Sequence, residues 1–222
     1  MYIISPSILS CDFSKLGVQV EETGKTAAKY IHIDVMDGAF VPNITIGPCV
    51  IASLRSHSDL VFDTHLMINE PIRYINEFRK AGADIITVHA EACADLEATL
   101  KEIRACGAKV GLSIKPKTDP ETIRAYLPLC DMILIMTVEP GFGGQSFIYE
   151  AVENIKKVKA MIEEAGLNIP IEVDGGITVD TIGVAAKAGA EIFVAGSAVY
   201  KKADIAKAVS DLLDSAMQAG NN

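Results

Sequence analysis

Short β-branched runs alternate with longer segments of helical period along the 222-residue chain. The runs Ile3–Ile8, Tyr30–Val35, Leu60–Leu66, Asp84–His89, Lys109–Ile114, Met132–Met136, Ile169–Asp174 and Glu191–Ala195 predict eight strands. Between them apolar residues recur every three or four positions. Ile72, Ile75 and Phe78 do so within 71–80, Leu96, Leu100 and Ile103 within 94–105, and Ile155, Val158 and Ile162 within 151–164. Each set lies on one helical stripe, the stripe that packs on a sheet. Pro71 and Pro120 fall in first turns, where the missing N–H costs nothing. Gly82, Gly107, Gly166 and Gly189 stand just past helix ends, where glycine most easily turns left-handed. Strand, helix and strand repeated throughout predict a parallel sheet. The joints AGADIITV, CGAKVGLS and AGAEIFVA recur almost evenly, and no dinucleotide Gly fingerprint follows the first strand. Both features favour an α/β fold of the closed (β/α)8 TIM barrel kind over an open doubly wound sheet. No Pro-, Gly- or Ser-rich linker divides the chain, so a single (β/α)8 barrel domain over residues 1–222 is expected.

Strands buried on both faces should be nearly all apolar, and several here are not. His32 and Asp34 share one face of the second strand because side chains alternate along it, and Asp63 and His65 do the same on the third. The fourth strand ends in Val88-His89, and the seventh runs Ile171-Glu172-Val173-Asp174 into Gly175-Gly176. In a barrel, polar residues at strand C-termini converge on the face where active sites are built. His32, Asp34, His65 and Asp174 are a mixed N/O set for one divalent first-row metal, and they admit Zn, Fe(II), Mn or Co alike. His57, in Arg55-Ser56-His57-Ser58, reads instead as a solvated group at a helix end, well placed against the helix dipole.

Glycine loops follow three strands: Glu139-Pro140-Gly141-Phe142-Gly143-Gly144-Gln145, Gly175-Gly176 and Gly196-Ser197. Sharp turns also want glycine, but the last two loops, beside a helix N-terminus, are the usual phosphate cradle of this fold. Met36, Met67 and Met136 lie at or beside strand ends. They read equally as gap fillers or as a dry collar around a metal–carboxylate cluster.

Lys plus Arg 20 against Asp plus Glu 29 gives a net charge of −9, which argues against nucleic acid as a partner. No apolar run approaches the ~18 residues of a membrane span, so no membrane partner is expected. The start MYIISPSIL has no basic region before its apolar run and does not read as a signal peptide. Five cysteines, an odd number without a C-x-x-C, read as reduced thiols of a cytoplasmic protein, and none is assigned chemistry.

ISPSILSCDF, HIDVMDGAFVPNITIG, DTHLM, HAE, MTVEPGFGGQSFI, EVDGGI and AGSAVY occur in this order, and together they closely resemble the ribulose-phosphate 3-epimerase family. The resemblance runs from the first strand to the eighth. It implies a ribulose-phosphate-binding type of barrel that interconverts D-ribulose 5-phosphate and D-xylulose 5-phosphate in the pentose phosphate pathway. The implied route is two-base proton transfer at carbon 3 through a metal-stabilised cis-enediolate. The family's metal ligands fall on His32, Asp34, His65 and Asp174, and its proton acceptor and donor on Asp34 and Asp174. Its substrate contacts fall on Ser7, His65, Gly141, Phe142, Gly143, Gly144, Asp174, Gly175, Gly176, Gly196 and Ser197. Its methionine cap fits Met36, Met67 and Met136, which favours the collar. Related allulose-6-phosphate epimerases carry Ala and Ser at the positions of Gly143 and Gly176, so that activity is the alternative. Further alternatives are another phosphosugar epimerase, a metal-dependent hydrolase and a non-catalytic phosphosugar-binding barrel. A phosphosugar substrate and a homo-oligomer are expected as partners. Asp63, His89, Glu91 and Lys115 are placed at the mouth without individual roles.

Overall fold

The computed structural model describes residues 2–220, so residue 1 and residues 221–222 of the expected domain lie outside the described residues. The elements run β1 (Ile3–Pro6), α1 (Leu16–Gly24), β2 (Tyr30–Met36), α2 (Pro48–Arg55), β3 (Val61–Met67), α3 (Ile75–Ala81), β4 (Ile85–His89) and α4 (Leu96–Ala105). They continue with β5 (Lys109–Ile114), β6 (Met132–Met136), α5 (Ala151–Glu164), β7 (Ile171–Asp174), α6 (Ile182–Ala188), β8 (Ile192–Ala195), α7 (Ser197–Tyr200) and α8 (Ile205–Gly220). All strands pair in parallel, in the order β1-β8-β7-β6-β5-β4-β3-β2. The ring closes between β1 and β2 through an isolated parallel bridge, Ser7 to His32, rather than through a ladder. The expected (β/α)8 barrel is therefore present, with one thin seam.

Outward-facing strand residues, such as Ile31, Ile33 and Val35 of β2 and Ile86 and Val88 of β4, are buried with the inner stripes of the helices. Each such burial is worth ~1.5–3 kcal/mol. The lower end of the barrel interior is plugged by Ile85, Met132 and Ile192, packed with Ile3, Tyr30 and Val61. Helix ends follow the expected punctuation: Gly82 (φ 113°) and Gly189 (φ 114°) close α3 and α6 in the left-handed region.

Most strand bounds shift by at most one residue, and the stretch from Pro71 begins as a 3-10 turn before α3. Two strand ends shift by two residues and one crossover differs in kind. β1 stops at Pro6, because the Ser7 side chain accepts from the Leu9 N–H (3.3 Å) and turns Ile8–Ser10 into a 3-10 turn. β7 begins at Ile171, because Pro170 has no N–H to give to a ladder. The crossover from β5 to β6 is a run of 3-10 turns over Pro120–Leu129 with Pro128 inside it, not an α-helix. The cysteines are free, as expected. Burial pushes the thiols of Cys11 and Cys130 up to about 12 and that of Cys93 to about 11, which keeps them protonated and inert.

Candidate metal centre and phosphosugar cleft

Strand alternation brings His32, Asp34, His65 and Asp174 to the C-terminal mouth of the barrel. One ligand atom from each lies within 4.8 Å of every other. His32 Nε2 stands 3.3 Å from His65 Nδ1, 3.4 Å from Asp34 Oδ1 and 3.9 Å from Asp174 Oδ2. His65 Nδ1 lies 3.5 Å from Asp34 Oδ1 and 3.6 Å from Asp174 Oδ2. Donors bound to one first-row ion at ~2.0–2.2 Å stand about 3–3.6 Å from one another, so four of these five spacings fit a single shared ion and the fifth, His32 to Asp174, is slightly wider.

The hydrogen bonds support the same fit. His32 Nδ1 lies 2.6 Å from Asp63 Oδ2, which accepts its N–H and leaves the Nε2 lone pair facing the cluster. Burial disfavours charge on His32, but Asp34 and Asp63 outweigh it and raise its pKa well above the ordinary value. His65 is raised too, burial being overcome by hydrogen bonds to Asp174 and Asp34. Burial likewise opposes charge on Asp34, yet the His32 and His65 imidazoles hold its carboxyl well below the usual carboxylate range. Excess negative charge converging on two imidazoles is an environment that a cation neutralises.

A deeper set, His32, Asp63 and Glu172, also brings ligand atoms within 4.8 Å of one another. There the His32 nitrogen is already bonded to Asp63, so its lone pair is not free. Burial pushes the Glu172 carboxyl well above its ordinary value, and Asp63 adds to the shift. Both oxygens of Glu172 lack a hydrogen-bond partner among the described residues.

Above the cluster lies a cleft of about 400 Å³, within the ~300–1,000 Å³ range of small-molecule sites. Asp34 and Asp174 are on its wall, together with Met36, Met67 and Met136, which are all at most 4% exposed. Ser7 is there too, its hydroxyl donating to Asp34 Oδ2 at 2.5 Å. The remaining wall includes Gly141, Phe142, Gly143, Gly144, Gly175, Gly176, Gly196 and Ser197. His65, expected to touch substrate, is fully buried behind the wall and is not part of it. His57 is also not simply solvated, since its Nδ1 pairs with Glu21 Oε1 at 2.6 Å.

Several contacts that position the site come from residues whose roles the sequence motifs do not disclose, although Asn43, Thr45 and Thr137 lie inside them. Asn43 Nδ2 donates to the Gly141 carbonyl at 2.8 Å, tying the loop after β2 to the loop after β6. The Thr45 hydroxyl donates to the Asp34 carbonyl (2.7 Å) and accepts from the Met36 N–H (3.0 Å), which fixes the end of β2. Thr137 and Thr181 hydroxyls donate to the carbonyls of Gly175 (2.6 Å) and Gly176 (2.8 Å). A side chain at Gly176 is disfavoured in this chain on two counts. Its φ is 66°, and a Cβ there would meet the Phe147 backbone nitrogen at 2.4 Å. At the rim, burial opposes charge on Glu91, but hydrogen bonds from His89, Thr118 and the Lys115 N–H hold its carboxyl at about 2. Burial depresses His89 to about 4, so that imidazole is neutral.

The family model described as "Ribulose-phosphate 3 epimerase family" matches residues 3–200. The chain is 49% identical over 213 residues to the ribulose-phosphate 3-epimerase of Bacillus subtilis (strain 168), covering 96% of this chain and 98% of the relative. It is 46% identical over 215 residues to the enzyme of the same name from Synechocystis sp., covering 96% and 94%. Among solved structures it resembles KGPDC from Streptococcus mutans, with a TM-score of 0.71, 15% identity and 99% of each chain covered. At that identity the structural likeness speaks for the barrel fold alone. The family match and the near-full-length relatives together show that this chain belongs to the ribulose-phosphate 3-epimerase family.

Proposed function

We propose that this protein is a metal-dependent epimerase that interconverts D-ribulose 5-phosphate and D-xylulose 5-phosphate in the cytoplasm. The observation that carries the reading is the pairing of Asp34 and Asp174. Both lie on the wall of one cleft, and both are within 4 Å of the same two imidazole nitrogens.

Inverting a carbinol carbon beside a ketone requires removing a proton from one face and delivering one to the other. Two carboxylates from different strands can do this, one ionised while the other is protonated. Asp34 is the group held ionised, and its Oδ2, turned towards Ser7 rather than the imidazoles, is the oxygen that takes the proton. Asp174, three strands around the ring from Asp34 and 16% exposed, delivers the other proton. What a divalent cation on His32, Asp34, His65 and Asp174 supplies is positive charge beside the developing enediolate. Zn, Fe(II), Mn and Co all suit two imidazoles and two carboxylates. Ser7 keeps Asp34 oriented, and the methionines exclude water from the reacting carbons. The loops at Gly141–Gly144, Gly175–Gly176 and Gly196–Ser197 offer backbone N–H groups for the phosphate, whose remote binding energy keeps the sugar in register.

Proton NMR of metal-quantified protein with D-ribulose 5-phosphate in deuterium oxide tests the reading. The expected result is xylulose 5-phosphate carrying deuterium at carbon 3. No turnover with metal present would remove this substrate from consideration, and exchange without epimerisation would remove the second carboxylate.

A further inference from the structure

His65 can present Nδ1 to the cluster only if its proton sits on Nε2, and nothing in contact with the cluster itself enforces that choice. The enforcement comes from the rim. Glu91 Oε1 accepts from the Lys115 N–H at 2.8 Å and from the Thr118 hydroxyl, so two donors already converge on this carboxylate. Its other oxygen, Oε2, lies 3.3 Å from His89 Nδ1. A carboxylate oxygen accepts, so His89 donates to it from Nδ1, which leaves Nε2 as the nitrogen that carries the lone pair. That Nε2 is 2.9 Å from His65 Nε2, which must then be the N–H partner. With its proton committed there, His65 turns the Nδ1 lone pair to His32 Nε2, Asp34 Oδ1 and Asp174 Oδ2. The other tautomer of His89, with its proton on Nε2, would leave the His65 proton on Nδ1, facing the cluster.

We propose that His89 and Glu91 are positioning residues for the metal site, a two-step relay that fixes the tautomer of His65 from the rim of the barrel. The inference rests on reading the cluster as a metal site. The geometry suits the bond from His65 to His89: the two rings meet edge to edge through their Nε2 atoms, with centroids 5.0 Å apart and planes only 27° from coplanar. The other neighbour of His89 is the Phe40 ring at 5.0 Å, over which Lys115 Nζ sits at 4.0 Å. His32 turns a lone pair to the cluster in one step, through Asp63, as the opposite tautomer with its proton on Nδ1. The site thus has two carboxylate-anchored imidazoles with arms of different length.

Chelator competition with Zn²⁺, together with melting of the metal-free protein, tests the relay on wild type, His89→Leu, His89→Gln and Glu91→Ala. Loss of a hydrogen-bond partner behind a metal-bound histidine costs about 10–100-fold in metal affinity. His89→Leu is expected to lose that much, and Glu91→Ala about 10-fold. His89→Gln, whose amide oxygen still accepts from His65 Nε2–H, recovers most of the loss, which a purely structural role would not produce. Zn²⁺ affinity of His89→Leu within about 2-fold of wild type, or no recovery in His89→Gln, overturns the relay. Nitrogen-15 NMR of the Zn²⁺-loaded wild type needs no variant to fold. A proton on His89 Nδ1 supports the relay and one on His89 Nε2 overturns it. Wild type that binds no Zn²⁺ would instead overturn the metal reading on which the relay depends.

Discussion

The two ends of the barrel interior are built from the same strands by the same alternation, yet they solve different problems. At the lower end, Ile85, Met132 and Ile192 fill the space with side chains that need only one another. At the mouth, inward positions on β2, β3, β4 and β7 are His, Asp and Glu, each fully or nearly fully buried except Asp174. Burying a polar group without a partner costs several kcal/mol, and each of these groups except Glu172 is tied to a neighbour among the described residues. The lower end can therefore be read one residue at a time, whereas the mouth has meaning only as a connected set. Substitution should separate these roles: stability at one end, chemistry at the other.

The largest effect belongs to the mouth. Asp34→Asn or Asp174→Asn is expected to lower kcat by about 10³-fold or more, with the fold retained by circular dichroism and metal content measured alongside. Near-normal turnover in either variant would refute the paired-carboxylate scheme. Next comes the lower end, where Met132→Ala empties a site that is 2% exposed. It should cost ~2–5 kcal/mol in denaturant unfolding, while kcat and KM of the folded protein at 25 °C stay as they were. A Met132→Ala enzyme with normal stability and impaired kcat would erase the distinction between the ends. The smallest effect tests the periphery of the cleft. Gly144 has a φ of 74° and open space around its α-carbon, so Gly144→Asp adds strain and a negative charge beside the loop. A rise in KM of about 10-fold, roughly 1.4 kcal/mol, with kcat little changed, is expected from steady-state kinetics. An unchanged KM would move the phosphate elsewhere.

Much of this arrangement is legible in the sequence because period two is a strong constraint. Once 30–35 reads as a strand, His32 and Asp34 must share a face, and the barrel's mouth gathers the strand ends. The glycine loops are readable for a related reason, since few other residues adopt the backbone angles of Gly141, Gly144, Gly175 and Gly176. What sequence does not disclose is lateral: which inward residue stands beside which on the neighbouring strand. Asp63 reads as another residue at the mouth, but the register pairs it with His32, beneath the cluster. His89 and Glu91 are visible as a short motif, while their link to His65 depends on the parallel pairing of β3 with β4. His57 is similar, because its partner Glu21 lies on α1, thirty-six positions away. The β5–β6 crossover misleads for a local reason: Pro120 starts a helical turn well, but Pro128 cannot continue it.

The seam between β1 and β2 has a mechanical consequence. A ring of parallel ladders resists stretching everywhere that its hydrogen bonds repeat, and here one joint rests on the single bridge from Ser7 to His32. Circumferential strain concentrates at the weakest joint, so the barrel's breathing modes should open there first, and amide exchange should be fastest along that line. The joint lies on the short arc of the ring between Asp34 on β2 and Asp174 on β7, with β1 and β8 between them. The gap between the two carboxylates is thus the dimension of the site most free to adjust, and the Ser7 hydroxyl bonded to Asp34 acts as a latch across that gap.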